Sequence, residues 1–263
     1  MSGGDNARIL RDLNDAVAGG KPVVLATIVA TKRSVPRRAG TKMLIFEDGS
    51  TRGTVGGGQM EATVIAAAAE ALRRHKPDLV EYELVNPEEG DPGICGGSLT
   101  LYLEPYMPPH NVYVIGCGHV GRSVIDLAHW LGYRTIAIDD RPDLVSEESL
   151  PNADLRFAGS VDAALQAHPV PEDSSIVVVT RSPEVDIRII PSLLATPARY
   201  IGVMGSRNRW RATREQLEAD GIPAERLEKL HVPIGIEIQA ETLEEIAVSI
   251  MSEVIKVNHT GVD

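Results

Sequence analysis

The stretch Val112-Tyr113-Val114-Ile115-Gly116-Cys117-Gly118-His119-Val120-Gly121 decides the fold. Its first four residues are an apolar run short enough for a strand buried on both faces. From His119 onward the apolar residues recur at helical spacing to about residue 131. The turn between carries G-x-G-x-x-G, and each glycine has its own task. Gly116 permits the tight turn, Gly118 lets the backbone approach a diphosphate, and Gly121 lets helix and strand pack closely. The helix start adds free N–H groups and a partial positive charge. A second strand, 134–138, ends in Asp139-Asp140. An acidic residue there can accept hydrogen bonds from a ribose or another vicinal polyol, and Asp139 is the candidate.

Downstream the alternation continues. Strands are expected at 155–158, 176–180 and 200–204. Helices are expected at 161–167, 186–194, 208–219 and 242–257. Strand–helix alternation with short strands predicts a parallel sheet with helices on both faces, a Rossmann-type α/β domain over 110–263. A second anion-binding candidate is Gly205-Ser206-Arg207, between a strand and a helix. The competing reading is a simple capped connection.

Upstream the pattern differs. Ile9, Leu10, Leu13, Ala16 and Val17 mark a first helix, stopped by Gly19-Gly20. Strands are expected at 23–29 and 42–46, with Asp48-Gly49 as a hairpin turn. A third strand is expected to run into Gly56-Gly57-Gly58, followed by an Ala-rich helix at 59–74. Further strands are expected at 79–85 and 98–104, with a polar loop at 86–93. Pro105, Pro108 and Pro109 mark the boundary. Residues 1–107 therefore read as a smaller α+β domain with mostly antiparallel strands.

This first domain holds three more candidates. Lys32, Arg33, Arg37 and Arg38 form a basic loop in an acidic chain, which suits an anionic ligand or an exposed solvated loop. Gly57 and Gly58 precede a helix and form an anion-friendly nest, with Glu61 in the first turn as cap or ligand contact. Cys95 precedes Gly96-Gly97, where a thiol can hold sulfur or a soft metal. Cys117 and His119 lie in the phosphate turn, and the glycines explain that turn without the thiol.

The totals narrow the function. The 263 residues carry net charge -11, which argues against duplex nucleic acid as a partner. No apolar run reaches the roughly 20 residues of a membrane span. No charged and then apolar leader opens the chain, so a cytoplasmic location is expected. Two cysteines make no disulfide framework. The sequence contains no Cys-x-x-Cys, His-x-x-Cys or H-E-x-x-H spacing, and no closed protein metal site is expected. A nicotinamide-dependent oxidoreductase using NAD(P) is compatible with the turn and Asp139, but the sequence has no Tyr-x-x-x-Lys pair for hydride chemistry.

Taken together, the motifs resemble one family over nearly the whole chain. Ser34-x-Pro36, Gly40-Thr41-Lys42-Met43, Gly53 to Gly58 with Glu61, and Cys95-Gly96-Gly97 resemble the first domain of the XdhC/CoxI family. The 112–121 turn, Asp139-Asp140-Arg141, the 200–207 segment and His231-Val232-Pro233-Ile234-Gly235 resemble its second. The resemblance implies a maturation factor rather than a turnover enzyme. Such a factor binds molybdenum cofactor (molybdopterin), protects it during sulfuration and helps insert it into an apo molybdenum hydroxylase such as xanthine dehydrogenase. It also implies a cysteine desulfurase as a further partner, and the short linker between the halves favours a homodimer. The roles it implies are phosphate binding at Gly116, Gly118, His119 and Gly121, polyol contact at Asp139, charge neutralisation by Arg37, Arg38 and Arg207, and molybdenum or sulfur contact at Cys95. The chain departs from the family at Gln239 and Leu243, where glycine and proline are expected, and in its short linker.

Overall fold

The computed structural model describes residues 3–84 and 97–259. The chain divides into two compact units, one ending at Pro108 and the other beginning at Pro109.

The first unit holds α1 (Gly3–Ala18), β1 (Val23–Lys32), β2 (Lys42–Phe46), β3 (Thr51–Gly53), α2 (Gly58–Arg74), β4 (Asp78–Glu83) and β5 (Ser98–Tyr106). The strands form one sheet in the order β3-β2-β1-β5-β4, and every pairing is antiparallel. Successive side chains of a strand point to opposite faces, and β1 uses both. Val23 and Leu25 pack with Ile9, Leu13 and Ala16 of α1, while Val24, Ala26 and Ile28 pack with Met60, Val64 and Ala68 of α2. Asp48-Gly49 turns the β2–β3 hairpin, with Gly49 at φ 76°. The third strand is shorter than its sequence suggests. It stops at Gly53, whose φ of 83° leaves the extended region, and residues 54–57 form a turn.

The second unit holds β6 (Asn111–Ile115), α3 (His119–Trp130), β7 (Arg134–Asp139), β8 (Leu155–Ala158), α4 (Val161–Ala167), β9 (Ser174–Val178), α5 (Pro183–Leu194), β10 (Tyr200–Val203), α6 (Arg207–Ala219), α7 (Ala224–Leu227) and α8 (Leu243–His259). The sheet order is β10-β9-β6-β7-β8, and all pairings are parallel. Val112 and Val114 of β6 join one core with α3 and α8; Tyr113 and Ile115 join the other with α5 and α6. The strand order reverses between β6 and β9, which opens a crevice at the carboxyl ends of the strands. Helix α5 begins three residues before the expected start because Pro183 occupies its first turn. Proline suits that place, since the N–H it lacks has no intrahelical partner there. Among the described residues no helix is long and apolar enough to cross a membrane.

Gln239 and Leu243, two of the positions that depart from the resembled pattern, have visible geometry. Gln239 sits at φ 57°, a left-handed conformation that costs a side-chain-bearing residue about 1 kcal/mol or more. Leu243 is the first residue of α8, behind a capping box: Thr242 Oγ1 accepts from Glu245 N at 3.2 Å, and Glu245 accepts from Thr242 N at 3.0 Å. Gln239→Gly is expected to raise the stability of the second unit by about 1 kcal/mol. A urea titration followed by tryptophan fluorescence reads this unit alone, because both tryptophans, Trp130 and Trp210, lie in it.

Candidate functional site

The glycine turn leaves β6 and enters α3 with three different demands. At Gly116, φ is 100° and a Cβ would stand 2.6 Å from the Val179 carbonyl oxygen. At Gly121 a Cβ would stand 2.0 Å from the Gly116 carbonyl oxygen, so helix and turn touch backbone to backbone. At Gly118 a Cβ would meet nothing within 4 Å, which leaves room for a ligand to reach the main chain. Gly118 is also the N-cap of α3, and no side chain caps the helix there. His119 opens the helix and is exposed.

Asp139 at the end of β7 faces the turn itself. Its carboxylate is 2 % exposed and accepts from Cys117 N at 2.8 Å, Arg141 N at 3.0 Å, Arg141 Nε at 2.8 Å and Arg141 Nη2 at 2.9 Å. A carboxylate offers about four acceptor positions, and four donors fill them. Burial pushes its pKa up, but the Arg141 bonds and the two backbone N–H bonds outweigh this and hold it below the ordinary value. The side chain expected to meet a polyol is thus engaged in locking the phosphate turn onto β7. The neighbouring Asp140 is 50 % exposed and meets Arg181 through two bonds, at 2.7 and 2.9 Å. Those bonds lower its pKa to about 2.

Cys117 is buried. Desolvation, then the Asp139 charge, pushes its thiol up to about 12, so it is a neutral thiol at physiological pH. Cys95 lies outside the described residues, as does the polar loop before it.

A cavity of about 360 Å³ opens at the carboxyl ends of the strands, beside the turn. Gly116 and Asp139 line it; Gly118, His119, Gly121, Gly205, Ser206 and Arg207 do not. At the second turn, Ser206 caps α6 by accepting from Arg209 N at 3.2 Å, and Arg207 is exposed on the first helical position. The residue that reaches inward is Arg209. Its Nη2 bonds Asp186 Oδ2 at 2.6 Å and Thr180 Oγ1 at 3.3 Å, and Thr180 donates to Asp186 in turn. This buried network ties β9, α5 and α6 together around the crevice. Its signal in the sequence is faint: Asp186 stands in the first turn of a helix, where an acidic residue is ordinary.

A second network holds the closing segment. Glu253 of α8 accepts from Tyr200 Oη at 2.7 Å and Gly235 N at 2.6 Å, and pairs with His231 Nδ1 at 2.9 Å. Burial pushes the Glu253 pKa up, and these bonds together bring it below the ordinary range.

In the first unit the triple-glycine turn is already filled. Glu61 Oε1 accepts from Val55 N at 3.1 Å, Gly56 N at 3.3 Å and Gly57 N at 3.1 Å, and from the Thr54 hydroxyl. Gly57 has φ 94° with open space beside it, and Gly58 opens α2. In the basic loop Arg37 is half-buried and Arg38 exposed. Gly97 passes so close to this loop that a Cβ would stand 2.0 Å from the Ser34 carbonyl oxygen. Glu61→Ala is expected to cost about 2 kcal/mol, because several donors lose a charged acceptor. Thermal unfolding followed by circular dichroism should show the loss, and added phosphate should recover part of it in the variant but not in the wild type.

An open parallel sheet with a switch point, a glycine turn at its first strand and a cavity beside that turn define a Rossmann-type domain, which follows an antiparallel α+β unit in the sequence. The family model described as the XdhC Rossmann domain matches residues 112–254, and that of the XdhC and CoxI family matches residues 16–83. The chain belongs to the XdhC and CoxI family. It is 32% identical over 243 residues to the Escherichia coli protein named uncharacterized protein YqeB, covering 91% of this chain and 44% of YqeB. It is 28% identical over 156 residues to a probable xanthine dehydrogenase subunit of Bacillus subtilis, covering 59% of this chain and 45% of that one. The chain thus spans less than half the length of these two relatives. It is 23% identical to the E. coli molybdenum cofactor insertion chaperone PaoD, covering 96% of this chain and 89% of PaoD.

Proposed function

We propose that the chain binds molybdenum cofactor and serves its maturation and insertion into an apo molybdenum hydroxylase of the xanthine dehydrogenase type, without turning over a substrate of its own. The observation that carries this reading is the pair of family matches, which fall in order on the two units. The relative matched over most of both chains, PaoD, is named for the same task.

The chemistry of the site supports the ligand class. The cofactor is anionic and phosphate-bearing, and α3 presents an uncapped N-terminus behind an open Gly118. Gly116, Gly118, His119 and Gly121 would hold its phosphate through backbone. Arg37, Arg38 and Arg207 would balance charge, with Gly205 and Ser206 beside Arg207. The cofactor carries its metal on dithiolene sulfur, so no closed set of protein ligands is required. Of the two thiols, the neutral, buried Cys117 is unsuited to a soft metal. This leaves Cys95 as the contact for molybdenum or its sulfido ligand. Gly57, Gly58 and Glu61 form a closed turn that shapes the first unit rather than an open site. Residues 1–107 and 110–263 would act as two domains. A homodimer and a cysteine desulfurase that supplies sulfur complete the proposed assembly.

Co-expression with the cofactor pathway tests the proposal. The purified protein should hold pterin and molybdenum in equal amounts, and Cys95→Ser should lose most of the metal with folding intact. Saturable NAD(P)H binding to the apo-protein, without pterin in the co-expressed material, would replace this reading with an oxidoreductase.

A further inference from the structure

The second unit leaves aliphatic side chains in water where its closing segment meets the start of α8. Nine large hydrophobic side chains are exposed among the described residues. Four of them, Ile236, Ile238, Leu243 and Val248, fall within 236–248, at 37 to 46 % exposure. Exposed hydrophobics scattered singly are ordinary, whereas a group of them marks an interaction surface. Hydrogen bonds draw this group together. Ile236 N donates to the Ser249 carbonyl at 3.2 Å, and Ser249 Oγ donates to the Ile236 carbonyl at 2.6 Å. Ile236 is thereby seated against the turn of α8 that carries Val248. Glu245 Oε2 accepts from Glu241 N at 2.7 Å and Thr242 N at 3.0 Å, which fixes the chain that enters α8 at Leu243. The apolar side chains are thus presented by an ordered backbone, and covering such a surface costs less ordering entropy.

The charge around the group has one sign. Glu237, Glu241, Glu244 and Glu245 are all exposed, and no lysine or arginine occurs between Lys229 and Lys256. None of the four glutamates makes an ion pair among the described residues. Glu244 and Glu245 stand one helical turn before Val248, so charge and apolar surface share a face. Anionic lipid and nucleic acid are repelled by such a face. A second copy brought by a two-fold axis would set the glutamates against themselves, because that contact uses the same patch on both sides. We propose that 236–248 is a docking surface for a protein partner whose facing surface is apolar at its centre and rimmed by lysine and arginine. Resting on the carrier reading above, that partner is the apo hydroxylase that receives the cofactor. The aliphatic side chains supply the area removed from water, and the glutamates steer the approach and select against acidic surfaces.

The test uses the whole chain and the cofactor-free xanthine dehydrogenase-type hydroxylase of the same genome, immobilised for biolayer interferometry. The wild type should bind, and less tightly as salt rises. Ile238→Ser combined with Val248→Ser should weaken binding by about tenfold or more. Glu241→Lys combined with Glu244→Lys should weaken it by about fivefold or more and flatten the salt dependence. All four side chains are exposed, so the thermal midpoint should hold in both variants. Each variant, co-expressed with the cofactor pathway, should also hold as much pterin as the wild type. Hydroxylase binding unchanged in the serine variant overturns the surface, and binding unchanged in the lysine variant overturns the basic partner. A wild type that holds pterin and does not bind the hydroxylase overturns the inference and leaves the carrier standing. A wild type without pterin, whose hydroxylase binding is lost in both variants, keeps the docking surface and overturns the carrier. A dimer in sedimentation that the serine variant splits would place a second copy on this face and overturn the inference as well.

Discussion

Gly121→Ala should lower the stability of the second unit by about 3 kcal/mol and abolish ligand binding. The added methyl would stand 2.0 Å from the Gly116 carbonyl oxygen, and that atom is backbone, so no side chain can turn away. Relief requires α3 to slide off β6, against a core in which Val124, Ile125 and Ala128 are fully buried. Overpacking of this kind typically costs about 1–3 kcal/mol and more where backbone must move. Gly118→Ala is the control. Its methyl meets nothing within 4 Å and its φ of -70° suits any residue, so stability should change by less than about 0.5 kcal/mol. Binding of a phosphate-bearing ligand should still fall tenfold or more, because the methyl occupies the approach to the main chain. Urea midpoints by tryptophan fluorescence and ligand titration on the same two variants decide the matter. Equal loss of stability in both would refute the division of labour between the glycines.

Asp139→Ala should cost about 3 kcal/mol, at the lower end of what breaking a buried ion pair costs, since Arg141 is partly exposed. The Cys117 N–H and the Arg141 guanidinium both lose their acceptor. The effect has a pH signature. The folded pKa of Asp139 lies below its unfolded value, so its contribution is fully present above about pH 4. That contribution fades as pH falls through the folded value. The stability gap between wild type and variant should therefore be constant from about pH 5 to 8 and shrink below about pH 4. A gap that widens on acidification would mean that Asp139 is held protonated, contrary to its four donors.

The elements that follow a hydrophobic period were legible in the chain. The β6 run, the G-x-G-x-x-G turn and the strand–helix alternation depend on local spacing, and they predicted the parallel sheet flanked by helices. Boundaries set by single residues were less so. Pro183 opens α5 instead of preceding it, and Gly53 ends β3 before the triple glycine. The partners of side chains were least legible, because they depend on which donors fold next to them. Asp139 reads as a ligand residue until Arg141 and Cys117 N are seen on it. Arg209, which no motif singles out, is the side chain of α6 that reaches Asp186. The cavity joins Ile138, Val161, Arg181 and Val185, brought from three stretches of chain by the sheet order.

Glu61 shows what a filled nest means for traffic at the first unit. An incoming anion there does not compete with water; it competes with a carboxylate tethered four residues along the same chain. Such a rival is never diluted, and its local concentration is set by the helix that carries it rather than by the cell. A free phosphate at ordinary levels is thereby turned away, while α3, without such a plug, stays open to one. Of two glycine turns so alike in letters, one is stoppered by its own helix and one is left open.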